Sequence, residues 1–299
     1  MTFSPYQHLL ASLYRFGHDS AIMAATISKA ITKVREDGLK RFIRNTPAYT
    51  HTELSRLVKS IQYIRWQRSG SHSVSVENIN AEFNINDRAD FHAVTYFKEN
   101  ERELARDLLT EVTPGDVVWD VGANIGIYTC LLKQLPTVEP IAFEPFPENK
   151  RRLKQNLRLN GIDATIVDAA LSDRNTTVEF GLASNQNGNL GGSKILRTDE
   201  GNMVTVPART GDSLEIPQPS VVKIDVEGAE QDVINGMKKT LRTSNCRIIY
   251  CEIHHSDSGS SIFEYGSTPS HLKQTLQDFD FTVTTLEKRN NQTQIKATK

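Results

Sequence analysis

The sequence predicts an α/β fold built on an open, mostly parallel sheet of seven strands, preceded by a helical extension. Three observations carry that expectation. Short runs of β-branched and aromatic residues alternate with helix-patterned segments from residue 117 onward. The first run, Val117-Val118-Trp119-Asp120-Val121, passes through the glycine-rich turn from Gly122 to Gly126 directly into a helix. Five successive strands also end on an acidic residue, at Asp120, Glu144, Asp168, Asp225 and Glu252. In an open parallel sheet, ligands gather outside the carboxyl ends of the strands, where the strand order reverses.

Taken in chain order, apolar residues at helical spacing predict helices over 22–42 and 54–66, separated by Pro47. Residues 69–73, Ser-Gly-Ser-His-Ser, read as a linker, which puts the domain boundary near residue 70. A helix over 91–111 leads through Thr113-Pro114-Gly115-Asp116 into the first core strand. After the glycine turn come a helix over 127–135, a strand over 140–143 and, beyond Glu144-Pro145, a basic amphipathic helix over 147–160. A third strand at 164–167 opens into the loop 168–173. The insertion 176–217 carries two further strand-like runs, at 178–182 and 203–207. Its Asn/Gly tract 184–193 reads either as a loop beside a ligand site or as a disordered surface loop. Strands at 220–224 and 247–251, a helix at 269–279 and a hairpin joining 281–287 to 294–297 complete the sheet.

The turn at 122–126 selects among cofactors. A dinucleotide fingerprint needs Gly-x-Gly-x-x-Gly so that a pyrophosphate can rest on the helix N-terminus. Here Asn124 and Ile127 occupy the second and third glycine positions. A bulky Ile127 at the close approach argues against NAD or FAD, whereas S-adenosylmethionine carries no phosphate and needs only backbone room. Glu144 lies roughly two dozen residues beyond Asp120, the interval expected of a carboxylate that grips ribose hydroxyls. Asp168 can accept from an adenine amino group or cap its own turn. Clustered acidic strand tips repel one another, and the sulfonium and ammonium of S-adenosylmethionine would supply the missing positive charge.

With these segments in view, the chain resembles the FkbM family of S-adenosylmethionine-dependent methyltransferases. The resemblance runs through Asp120-Val-Gly-Ala-Asn-Ile-Gly126, Phe143-Glu144-Pro145, Ala170-Leu171-Ser172-Asp173 and Lys223-Ile-Asp-Val-Glu-Gly-Ala-Glu230, and covers about residues 90–285. It implies a class I methyltransferase (Rossmann-like) fold and O-methylation of a sugar, glycan or natural-product hydroxyl, or of a carboxyl. It also implies that Gly122, Asn124 and Gly126 line the cofactor, that Glu144 holds its ribose and that Asp168 lies beside its adenine. Asp120, at the tip of the first strand, is counted with this cofactor-binding set.

Methyl transfer is an in-line displacement, so the protein's main task is to hold an acceptor oxygen against the methyl carbon. Asp225, Glu227 and His254, at the tips of the fourth and fifth strands, are the catalytic candidates. Each has an alternative role: Asp225 on the cofactor amine, Glu227 at a helix N-terminus, His254 as a packed or surface histidine. Asp225, Glu227, Glu252 and His254 can converge, but no metal is assigned. Two other classes stand beside this reading, a nicotinamide-dependent oxidoreductase and a non-catalytic cofactor-binding scaffold.

Cys130, Cys246 and Cys251 form no Cys-x-x-Cys pair and read as reduced core thiols, and no secretory segment opens the chain. A cytoplasmic protein is expected. The net charge of −1 hides an asymmetry. Residues 1–70 hold eleven Lys/Arg and four Asp/Glu, against twenty-four and thirty-two in the remainder. The basic extension is expected to pack as a helical arm or to approach anionic lipid at the inner membrane face. No basic patch interleaved with aromatics points to nucleic acid, and nothing fixes the oligomeric state.

Overall fold

The computed structural model describes residues 50–181, 203–242, 245–255 and 261–299. The expected helix at 22–42 and the tract 184–193 lie outside the described residues. The chain divides into two units, Met1–Ser69 and Gly70–Lys299. In the first, α1 (Thr50–Ser69) is free of internal glycine and proline, and its last turn is closed by the Ser69 hydroxyl donating to the Trp66 carbonyl at 2.7 Å. No helix among the described residues is long and apolar enough to cross a membrane.

The second unit begins with an antiparallel hairpin, β1 (Ser71–Val76) and β2 (Ile79–Asn84). Of the expected linker 69–73, Ser69 ends α1, Gly70 lies between the elements and Ser71–Ser73 already belong to β1. Val74, Val76, Ala81 and Phe83 alternate into the core while Ser73, Ser75, Asn80 and Glu82 take the other face, which hid the pattern behind polar residues. Helix α2 (Arg88–Tyr96) is capped by Asp87, whose carboxylate accepts from Ala89 N and Asp90 N at 2.9 and 3.1 Å. The expected single helix over 91–111 is interrupted. A π-helical turn, Phe97–Glu101, separates α2 from α3 (Arg102–Glu111). The Asn100 amide donates to the Tyr96 carbonyl at 3.1 Å, and Arg289 donates to the Asn100 carbonyl, so both ends of the turn have partners outside the regular ladder.

Seven strands form the main sheet, in the order β11-β12-β10-β9-β3-β4-β5. They are β3 (Val117–Val121), β4 (Glu139–Phe143), β5 (Thr165–Val167), β9 (Val221–Ile224), β10 (Ile248–His254), β11 (Thr282–Lys288) and β12 (Gln292–Thr298). All pairings are parallel except those of β12 with β10 and β11. The chain winds outward from β3 to β5, then returns to lay β9 on the other side of β3. That reversal makes the gap between the tips of β3 and β9 the topological switch point. Helices α4 (Ile127–Leu132), α5 (Pro147–Leu159), α6 (Glu230–Asn235), α7 (Lys238–Arg242) and α8 (Pro269–Gln277) connect these strands.

The insertion strands do not join this sheet. β7 (Thr176–Gly181) pairs antiparallel with β8 (Met203–Arg209), and β8 pairs parallel with the two-residue β6 (Ala170–Leu171). At the core, Trp119 and Phe143 lie 5.0 Å apart, and the Trp119 indole donates to the Pro217 carbonyl at 3.0 Å. Burying an indole without such a partner would cost free energy. All three cysteines are buried and unpaired. Arg152 of α5 reaches Asp90 at 2.6 Å and Asp87 at 2.7 Å, tying α5 to the start of α2 in a desolvated ion pair.

Candidate active site

The tips of β3, β4 and β9, with β6, enclose a cavity whose wall includes Gly122, Asn124, Glu144, Leu171, Asp225 and Glu227. Gly122 has φ +79, and a Cβ there would lie 1.9 Å from the Asp225 carbonyl oxygen. Only glycine lets these two loops cross. Asn124, at φ +52, continues the turn, and its N–H donates to Glu144 Oε2 at 2.7 Å. Phe146 N–H donates to Glu144 Oε1 at 2.9 Å. The Asn149 side chain is a third donor to this carboxylate, which leaves one of its four acceptor positions for a ribose hydroxyl. Burial pushes the Glu144 carboxyl up to about 7, against the backbone hydrogen bonds from Phe146 and Asn124 and the side-chain bond from Asn149 that pull it down.

Three members of the expected cofactor set point elsewhere. Asp120 is fully buried, and its Oδ2 accepts from the N–H and hydroxyl of Thr129 at 3.1 and 2.7 Å, which fixes the start of α4 and does not reach the cavity. Gly126 is needed for packing, since a Cβ on it would lie 2.9 Å from Leu153 Cγ of α5. Asp168 is largely exposed and paired with Lys150, while its neighbours Ala169, Ala170 and Leu171 form the apolar end of the cavity.

The three catalytic candidates do come together. His254 Nε2 lies 3.9 Å from Asp225 Oδ1, 3.8 Å from Glu227 Oε2 and 3.7 Å from Glu252 Oε1. Glu227 holds a left-handed φ of +53, an uncommon state for a non-glycine residue and a frequent mark of a working site. Burial alone would depress the His254 imidazole. The hydrogen bond to Glu230 and the charges of Glu227 and Asp225 outweigh it and push the ring up to about 10. These neighbours favour the imidazolium at neutral pH, a charge state that opposes a proton-accepting role for His254 in the ligand-free site.

Sequence reasoning missed four groups here. Lys223, buried at the end of β9, sends its ammonium to within 3.5 Å of both Asp120 and Asp225 and lies over the Tyr128 ring. Burial opposes its charge, yet the surrounding carboxylates hold its pKa above the usual lysine value. With His254, it supplies from inside the chain the positive charge that the acidic strand tips need. Glu230 Oε1 accepts from Gly228 N, His254 N and His254 Nδ1 at 2.9, 3.2 and 2.8 Å, locking the β9 turn to β10. Glu101, at the end of the π turn, feels Asp225 and Glu252 across the site, and burial with those charges raises its carboxyl to about 8. Tyr96 OH meets Gln292 Oε1 at 3.3 Å and Glu252 Oε1 at 3.5 Å. A lysine in a strand and an acid in a first helical turn were the only available signals.

A parallel sheet with a glycine turn, a ribose-type carboxylate and an acidic cluster at one switch point defines a class I methyltransferase architecture. Residues 120–292 match the family model described as the Methyltransferase FkbM domain, and the chain belongs to that family. The hexuronic acid methyltransferase AglP of Haloferax volcanii is 36% identical over 163 residues, 52% of this chain and 62% of that protein, so the match spans less than two thirds of the relative. Among solved structures, Methyltransferase FkbM from Methylobacillus flagellatus is similar with a TM-score of 0.41 and 12% identity, covering 81% of this chain and 60% of that one. Magnesium protoporphyrin IX methyltransferase from Synechocystis, solved with bound SAM, gives 0.44 and 11%, with 83% and 96% covered. The cofactor that goes with this domain is S-adenosylmethionine, and the nicotinamide and scaffold alternatives find no support.

The cavity fits that cofactor by its chemistry. An apolar end at Ala169–Leu171 suits a base, the Glu144 carboxylate suits a ribose hydroxyl, and the Asp225 end suits an ammonium or sulfonium. A pH dependence follows from Glu144. Its folded-state value, near 7 against the usual 4.5, means that its contribution to stability is full below 4.5 and is lost as pH rises toward 7. A ribose hydroxyl donates to the ionised form, so donor affinity should strengthen from pH 5.5 to 8 with release of a proton. Calorimetric titrations across that range check this. Glu144→Gln should flatten the profile, and an unchanged slope in the variant would assign the proton elsewhere.

Proposed function

We propose that residues 70–299 transfer a methyl group from S-adenosylmethionine to an oxygen of a sugar or glycan acceptor, of which a uronic acid is the first class to try. The observation that carries this reading is the continuity of the donor cavity with the acidic cluster, since Asp225 and Glu227 belong to both. The relative named for hexuronic acid methylation supports the acceptor class.

In this scheme Glu144 fixes the donor through its ribose, and the backbone around Gly122 lets the donor's amino-acid end approach Asp225. The cofactor supplies an electrophilic methyl group when bound. Glu227 is the proton acceptor for the attacking hydroxyl. Its side chain is 39% exposed, so the proton has a way out to solvent, whereas Asp225 is engaged by Lys223. His254, as imidazolium, faces all three carboxylates and keeps them from repelling one another. The test is transfer of a labelled methyl group to a panel of uronic-acid glycans, neutral sugars and hydroxylated metabolites. Labelling of no sugar, with labelling of another acceptor class, overturns the substrate assignment.

Residues 1–70 are proposed to govern acceptor access or placement at anionic lipid and not the chemistry. A chain beginning at Gly70 should fold and bind donor with unchanged affinity, because every cavity residue lies downstream. Circular dichroism and calorimetry of the shortened chain check this, and an insoluble product would make the extension part of the fold. Sedimentation with phosphatidylserine vesicles should retain the full chain in a salt-sensitive way and not the shortened one.

A further inference from the structure

The cluster beyond the donor cavity has the construction of a cation site. Asp225, Glu252 and His254 each place one ligand-type atom so that all lie within 4.8 Å of one another. His254 is only 7% exposed, and its ring is held from behind by Glu230, whose Oε1 takes the Nδ1 side at 2.8 Å. The ring cannot turn, and Nε2 is aimed at the gap among the carboxylates. Its nearest oxygens stand at 3.7, 3.8 and 3.9 Å, each too long for a hydrogen bond. Two atoms that share one cation at about 2.1–2.2 Å stand roughly 3–4 Å apart, which is this spacing. A histidine that gives its second ring nitrogen to a buried carboxylate is the usual outer-shell arrangement of a metal ligand. Glu252 is fixed likewise, with Oε2 accepting from Gln294 at 2.8 Å, while Oε1 faces the gap with the Tyr96 hydroxyl 3.5 Å away.

The geometry points to one divalent cation, of manganese or magnesium type, held by Asp225 Oδ1, Glu252 Oε1 and His254 Nε2 with Glu227 at the rim, the Nε2 proton leaving to solvent as the ion takes the place of the imidazolium charge. Carboxylate oxygens suit hard cations, and a single imidazole is tolerated by Mn²⁺ better than by Mg²⁺. Three protein ligands leave coordination positions open toward the cavity, where oxygens of the acceptor would bind. This last step rests on the methyltransferase reading; the cation site itself does not. An anionic or hydroxyl-bearing acceptor would otherwise meet a wall of carboxylates, and a bound cation inverts that field. With Asp225 committed to the cation, the acceptor's proton falls to Glu227.

The test uses the full chain, Mn²⁺ alone and no donor or acceptor, with the electron paramagnetic resonance signal of free Mn²⁺ as readout. One Mn²⁺ per chain should be taken up, displaceable by Mg²⁺. Affinity should fall at least tenfold in Glu252→Gln and about 10–100-fold in Glu230→Gln, which keeps the shape but weakens the support of the His254 ring. The wild-type stoichiometry stands even if a variant misfolds, and circular dichroism sorts those cases. No uptake by the wild type, or uptake undiminished in folded Glu252→Gln, overturns the site and leaves the His254 imidazolium and the Lys223 ammonium to balance the carboxylates. Mn²⁺ uptake without methyl transfer to any acceptor keeps the site and removes the enzymatic reading. Transfer that survives chelation, with no Mn²⁺ bound, does the reverse.

Discussion

Glu227→Gln should lower turnover by about 10²–10⁴-fold, the scale of a lost general base, while leaving donor affinity nearly unchanged. Glutamine keeps the length and shape of the side chain and removes only its capacity to take a proton. Glu227 sits on the cavity wall at φ +53 with its carboxylate 3.8 Å from His254, so the backbone that positions it is unaffected by the change. Single-turnover rates at saturating donor, with calorimetry for binding, separate the two quantities. Asp225→Asn is the companion measurement. If it alone stops turnover, with Glu227→Gln near wild type, the proton goes to Asp225. If neither matters, the acceptor loses its proton to solvent and the site works by positioning alone.

Gly122→Val should cost roughly 4 kcal/mol or more in stability, enough to unfold many domains of this size. A left-handed backbone penalises an L side chain by about 1–2 kcal/mol, and here the added Cβ also falls 1.9 Å from the Asp225 carbonyl oxygen. The obstacle is backbone, not a side chain that can rotate away. Loss of donor binding should therefore accompany loss of fold. Denaturant titration gives the stability directly. A Gly122→Val chain as stable as wild type that nevertheless fails to bind donor would mean that the position faces the ligand and not β9. By contrast, Glu144→Ala should weaken donor binding by about 1–3 kcal/mol through lost charge-assisted hydrogen bonds.

The middle of the sheet was legible because β3, β4, β9 and β10 are apolar runs buried on both faces, and the acidic residues at their carboxyl ends mark where the chain leaves the core. The β1–β2 hairpin was not, because its polar face outweighs four inward residues. The π turn at Phe97–Glu101 has partners in Arg289, far along the chain, which no local window contains. At the site, Glu144 could be found by its spacing from Asp120. The directions of Asp120 and Asp168 could not be read, because a strand-tip carboxylate can serve a cavity, the next helix or a surface lysine, and spacing does not distinguish these. The charge state of His254 was equally hidden. It depends on Glu230, twenty-four positions earlier, and on two carboxylates that meet it only in the fold.

The crossing of Gly122 beneath Asp225 also has a kinetic consequence. Lys223 donates to the Gly122 carbonyl across 101 positions of chain, so this contact closes a long loop whose entropy is lost before any contact repays it. The half of the sheet from β3 to β5 is local and can collapse early, whereas the donor cavity exists only after β9 has docked. Ligand would then find nothing to bind in the folding transition state. Added S-adenosylmethionine should slow unfolding and leave the refolding rate as it is.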